Sequence, residues 1–425
     1  MAEIVLVNTI GACGAILLLC LITHRARSGY TFAHLFSAVW GPCILAAQYY
    51  TTSTHTLSLK TLVVLFAAWW ALLAGALATV KRPAAPMMRE VNINKRRALA
   101  LILLLASLQA VLVVYELPTV VAEQSANKLV LGLRATDVSS GRTKCPWWLE
   151  IFRNAYFVYL PLALVLRKRN WLSRRMFCLL VASACLLGLG RMTRAPLMAI
   201  LVTLWAAWTL LYRPRAVRAL GVLAGAIAAF SAVFLAIQVV LQSRSAHTAE
   251  GAQLIEGYYG GSMRAFQSIV DGTFPREQGY YSADMVNYVL NKMNMIDAYP
   301  SLVRPYGDND TNVYTFLDAY ALDGGLMGAL LGAALTGMAG GWLFTRASRR
   351  HSPAMVASYA LFAYCVAMTV VNNEFIRIAP VMTIGLAGAV NRLVVRGRAK
   401  RRVRGTPAAP GASPSWRPGE IVSRA

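Results

Sequence analysis

Apolar residues in this chain come in blocks of about twenty, the length that lets a helix cross a hydrocarbon core of roughly 30 Å, and the blocks follow one another almost from end to end. They fall at 3–23, 31–50, 61–80, 98–116, 147–166, 176–190, 195–212, 219–241, 324–345, 354–371 and 376–395. Inside lipid a backbone must satisfy its own hydrogen bonds, so such a chain is expected to be all-α, a polytopic membrane protein of about eleven transmembrane helices (10–12). Composition excludes the alternative of a soluble fold. Of 425 residues 57% are hydrophobic and only 14% charged, and mean hydropathy is +0.51, far beyond globular norms.

A net charge of +24 in a soluble chain would suggest a nucleic-acid partner. Here the position of the charges decides otherwise. Arg25 and Arg27, the run from Lys81 to Arg97, Arg167 to Arg175, Arg213 to Arg218, Arg346 to Arg350, and every basic residue from Arg392 onward fall in alternate connections, and only Glu90 and Glu420 oppose them there. That is the positive-inside bias. It places these connections and the C-terminus in the cytoplasm and the N-terminus outside. With the charge so placed, no nucleic-acid partner is expected. Block one has no basic segment before it and is read as a retained helix rather than a cleaved signal.

One helical domain is expected over 1–395, including an outward loop at 242–311 and a smaller one at 118–146. Residues 396–425 form a basic tail rich in Pro, Gly, Ser and Ala, expected to be disordered and held near anionic headgroups. Six cysteines (Cys13, Cys20, Cys43, Cys178, Cys185, Cys365) sit within apolar blocks and only Cys145 in an outward connection, so no disulfide framework is implied. The five histidines are scattered and there is no CxxC, which predicts no metal and no cofactor. No glycine-rich phosphate loop follows a strand, which argues against a cytoplasmic nucleotide-sugar donor.

The outward loop is the functional candidate, because it carries Arg244, Arg264, Arg276 and Arg304 on the side where basic residues are otherwise sparse. Stretches 255–270 and 281–294 have helical periodicity and suit short helices at the bilayer surface. Tyr258 and Tyr259 fit either an interfacial aromatic belt or sugar stacking. Just before the loop's membrane neighbours, Gly188 to Pro196 contains Arg191 and Arg194, three apart, which on a helix point the same way. They either snorkel to lipid phosphates or line a polar cavity, where a guanidinium fork suits a diphosphate. Arg264 follows a Gly-Gly pair, and Arg304 precedes the ninth block. Asp308, Asp310, Asp318 and Asp323 are general-base candidates that sequence leaves undistinguished, expected to be solvated or paired with loop arginines. The glycines from Gly324 to Gly341 are expected to bring the ninth helix close to its neighbours.

The segment from Asn312 to Gly332, with Asn312-Val-Tyr-Thr315 and Asp323-Gly-Gly325, resembles the stretch leading from the large periplasmic loop into a glycine-rich helix in Wzy-type oligosaccharide repeat-unit polymerases. Thr193 to Met198 is similar to that family's helix start, with alanine for glycine. The resemblance implies a GT-C-like fold and a glycosyltransferase that joins undecaprenyl-diphosphate-linked oligosaccharides at the periplasmic face, for O-antigen or exopolysaccharide, with a chain-length regulator as a partner. It implies the inner membrane of a bacterium as the location, Arg194, Arg264 and Arg304 as catalytic residues that neutralise the departing diphosphate, and Asn312 and Tyr314 as substrate-binding residues, to which the residue reading above adds Arg191, Tyr258 and Tyr259. The rival readings are an O-antigen ligase, for which His247 lies at the wrong end of the loop, and a polysaccharide flippase.

Overall fold

The structure is a computed structural model that describes residues 2–26, 31–49, 57–81, 91–122, 152–190, 194–215, 217–219, 221–226, 228, 261–274, 280–283, 286–287, 290, 293–295, 315–370, 375 and 378–395. Among these residues it is helical without strands; a single bridge pairs Ile93 with Val395. The helices are α1 (Ala2–Ala26), α2 (Phe32–Tyr49), α3 (Leu59–Thr79), α4 (Lys95–Ala122), α5 (Tyr156–Lys168), α6 (Arg174–Gly190), α7 (Arg194–Tyr212), α8 (Gly261–Val270), α9 (Phe316–Arg350), α10 (Pro353–Ala367) and α11 (Ile378–Val394). Each apolar block thus has a helix of its own, except 219–241, which is described only in part.

Five of these helices are long and apolar enough to cross a membrane: α1, α3, α4, α9 and α10 with its 3-10 extension to Val370. Against the eleven crossings expected, the described residues show these five, and α2, α7 and α11 are apolar but shorter. Leu17 on α1, Val114 on α4, Leu179 and Leu186 on α6 and Leu335 on α9 are all more than half exposed. A soluble protein would not leave such leucines in water, whereas acyl chains solvate them.

The helix starts are set by short polar caps. Ser58 accepts from the Thr61 amide at 3.2 Å, Asn94 from Arg97 at 3.3 Å, Ser173 from Met176 at 3.2 Å and Ser352 from Met355 at 3.3 Å. Each takes up one amide that the first helical turn leaves without a partner. Three of the ends that meet the basic face stop on left-handed residues that are not glycine, Asn170 (φ 58°), Arg213 (φ 47°) and His351 (φ 38°).

The α3/α9 pair forms the tightest contact in the bundle. A Cβ added at Gly75 would lie 2.2 Å from the Ala334 carbonyl oxygen, one at Gly337 1.9 Å from that of Leu72, and one at Gly341 2.2 Å from the Thr79 hydroxyl. The backbones touch because these positions have no side chain, as the glycine run predicted. The Thr79 hydroxyl then donates to the Met338 carbonyl at 2.9 Å, replacing apolar contact with a directed bond across the interface. Farther around, Asn8 and Gln48 exchange amide hydrogen bonds of 2.7 and 3.0 Å between α1 and α2. Buried Tyr159 donates to Gln109 at 2.9 Å, joining α5 to α4.

The basic segments gather at one end of the bundle. Lys81 bonds Thr345 through its amide at 3.1 Å, Arg169 reaches the Val91 carbonyl at 2.9 Å, Lys168 the Leu211 carbonyl at 2.6 Å and Arg213 the Ser348 carbonyl at 3.3 Å. The Asn94 amide bonds Val394 at 2.9 Å. Lys168 and Arg213 therefore close the carbonyl ends of α7 and α9, where the helix dipole is negative, while Arg169 ties down the segment ahead of α4. The alternation of charge along the sequence corresponds to a real polarity of the fold.

Candidate functional site

α9 is one helix only in name. At Gly325 the backbone has φ 63° and ψ −162°, a conformation that essentially only glycine adopts. The chain reverses there. A Cβ on Gly328 would meet the Tyr320 carbonyl oxygen at 2.4 Å and one on Gly332 the Tyr320 ring at 2.5 Å, so 316–324 folds back along the start of the long limb 326–350. That long limb spans about 37 Å at 1.5 Å per residue, enough to cross a membrane alone.

The short limb accordingly begins inside the protein. Thr315, Phe316, Leu317 and Asp318 are all fully buried. The Phe316 ring lies 6.0 Å from Phe36, 5.6 Å from Trp40 and 6.4 Å from Phe375. Phe32, one turn from Phe36, packs against Gly340, which puts Phe316 well below the bend at Gly325. This is a re-entrant half-helix, permitted at such depth because protein rather than lipid surrounds its backbone.

At its buried start, Thr315 has an extended backbone and donates its hydroxyl to Asp318 Oδ1. The other carboxyl oxygen, Oδ2, is buried with no hydrogen-bond partner among the described residues. Asp318 was expected to be solvated or paired with a loop arginine; it is neither, because the helix starts at Phe316 rather than at the apolar block's edge and carries the residue into the core. The Thr-x-x-Asp spacing of a helix start was the signal that sequence reading passed over. A buried carboxyl of this kind inside a membrane bundle is costly and marks a position that chemistry or transport can use.

At the bend, Asp323 has the opposite role. It accepts from the Tyr281 amide at 2.8 Å, the Ser282 amide at 2.7 Å and the Ser282 hydroxyl at 2.5 Å. These three donors tie the outward segment to α9, and the Asn287 amide group closes that segment on Tyr280. Phe274 and Tyr281 pack with Ala319, Leu322 and Ile269 into a small apolar cluster over the short limb. Asp323 is thus a structural anchor.

α8 covers the same region. Met263, Phe266 and Val270 recur at helical spacing and are buried, so the helix packs this face on α9, α2 and α3. Its last turn is tied to the start of α3. Gln267 accepts from the Ser58 amide at 3.1 Å, and Lys60 donates to the Val270 carbonyl at 2.8 Å, closing the negative end of the helix. Arg264 is half-buried on this helix, with its Nε and Nη2 atoms shielded from solvent.

Of the arginines, tyrosines and asparagine that the sequence singled out as catalytic or substrate-binding, Arg264 alone is described in full. Arg194 opens α7, with Pro196 in the first turn as expected, but its side chain lies outside the described residues. Arg191, Tyr258, Tyr259, Arg304, Asn312 and Tyr314 also lie outside them. α7 packs against α5, α6, α10 and α9, and α8 packs against α2, α3 and α9. The helices bearing Arg194 and Arg264 thus share α9 as a neighbour. Among the described residues no group of histidine, cysteine or acidic side chains has the makings of a metal site.

Comparison with protein-family models, with curated proteins and with solved structures gives no match.

Proposed function

We propose that the protein is a membrane glycosyltransferase that polymerises oligosaccharide repeat units carried on a lipid diphosphate, in the manner of the Wzy-type enzymes that its Asn312 to Gly332 segment resembles. The observation that carries this reading is the form of that segment. It is a re-entrant half-helix with a buried Thr315–Asp318 start, anchored to the outward loop through Asp323 and covered by the helix bearing Arg264. A half-buried guanidinium beside a polar segment that dips into the bundle suits a lipid-linked anion, whose diphosphate stays at the interface while its chain stays in lipid. The mechanism needs no metal: cations stabilise the charge that develops on the departing diphosphate more strongly than they stabilise the ground state. In this reading Arg194 and Arg304 complete the cationic set, and the GT-C-like architecture, the periplasmic active face and the cytoplasmic C-terminus go with it.

The test is elongation of purified lipid-linked repeat units. A ladder of longer glycans, lost in Arg264→Ala and Arg194→Ala variants that still fold, is the expected result. Addition of glycan to lipid A core alone identifies a ligase.

A specific observation favours a second reading, transport. Broken helices with half-helix ends near the bilayer midplane are how many transporters build their substrate sites, and the Gly325 break with buried Asp318 has that form. Movement of lipid-linked sugar across proteoliposomes without new glycosidic bonds would establish it.

A further inference from the structure

The cations at the basic end fall into two groups. Lys168 and Arg213 close helix carbonyls, and Arg169 bonds the Val91 carbonyl in the segment ahead of α4. Lys95, Arg96 and Arg97 close nothing. They occupy the first turn of α4, their side chains are exposed, and they make no ion pair or side-chain hydrogen bond among the described residues. Three positive charges at the positive end of a helix dipole repel it and one another. Among the described residues no acidic side chain compensates them.

These residues line an open cavity. Its floor is Ile93, held by the bridge to Val395 and by the Asn94 amide bond to Val394. One wall is Trp171, over whose ring the Arg169 guanidinium sits at 5.3 Å while also bonding the Val91 carbonyl. The frame is therefore preorganised from three separate segments, and only the rim of cations lacks a counterpart. Beyond the rim, Leu103 and Leu104 are 55% and 52% exposed. They stand two helical turns along the same faces of α4 as Arg96 and Arg97.

We infer that this groove binds the phosphate of an anionic phospholipid, with the headgroup on Lys95, Arg96 and Arg97 and the acyl chains along Leu103 and Leu104. The chemistry that recognises it is a phosphate anion taken in bidentate fashion by arginine. The apolar stripe below, and a tryptophan of the kind that settles at a lipid headgroup layer, favour a lipid over a soluble phosphate. The site is at the opposite end of the bundle from the re-entrant limb and does not depend on the function proposed above.

Native mass spectrometry of the full-length protein, released from mixed micelles of phosphatidylglycerol and phosphatidylcholine, tests it. Retention of phosphatidylglycerol is expected to fall at least tenfold in the K95Q/R96Q/R97Q variant. The R349Q/R350Q variant, altered on the same face outside the groove, should retain wild-type levels. Equal loss in both variants, or no loss in the first, would overturn the proposal. So would displacement of the lipid by millimolar inorganic phosphate alone, which would make the ligand a soluble anion. Should the triple substitution prevent folding, R96K/R97K keeps the charge but removes the fork, and several-fold weaker retention is the expected result; unchanged retention would count against the site.

Discussion

The ring of Tyr320 lies against Gly332, so close that a Cβ at that glycine would stand 2.5 Å from it. That contact is possible only because the helix breaks at Gly325 and the short limb folds back along the long one. It turns a transmembrane helix into a hairpin that carries Thr315 and Asp318 into the bundle.

Gly325→Ala should therefore cost about 1–3 kcal/mol, although nothing lies within 4 Å of the missing side chain, because the cost is conformational. Gly324→Ala next to it, equally open and without a positive φ, should be neutral or slightly stabilising. Thermal melts of the two variants in the same detergent check this contrast. Equal melting temperatures would show that the reversal at Gly325 is absent.

Gly337→Ala should lower stability by about 1–3 kcal/mol through overpacking, since the new methyl would press on the Leu72 carbonyl. Gly388→Ala on α11 meets nothing within 4 Å and should have no comparable effect. Denaturation in detergent, followed by intrinsic tryptophan fluorescence, distinguishes the two.

Asp323→Ala removes the acceptor for three donors from Tyr281 and Ser282. With exposure discounted, the loss should be about 1–2 kcal/mol. Its effect is local, because the anchor holds the outward segment rather than the bundle. Limited proteolysis should cut near residues 280–283 several times faster in the variant while the global melt moves little.

His351 ends α9 at the basic face. Burial, followed by the nearby charges of Lys168, Arg213 and Arg169, pushes its pKa down from 6.5 to about 4. The folded protein thus refuses a proton that the unfolded chain accepts throughout the interval between those values. Stability attributable to this residue is intact above pH 6.5 and is lost as pH falls towards 4. His351→Gln should flatten the fall in melting temperature between neutral pH and about pH 5. An unchanged slope would assign the acid sensitivity to other groups.

Helix content, the order of apolar segments and the gathering of basic connections on one side were all legible in the sequence. Each rests on local quantities: the length of an apolar run and the sign of the charge between runs. The glycine run likewise pointed to close packing, which Gly337 and Gly341 provide against α3. The tertiary structure alone decided that Gly325 reverses the chain while Gly324 does not, that Asp318 is buried while Asp323 is an anchor, and that α8 lies on the bundle. These outcomes depend on which surfaces meet across segments distant in sequence. A hydropathy pattern records how apolar a residue is, but it does not record which neighbour excludes the water.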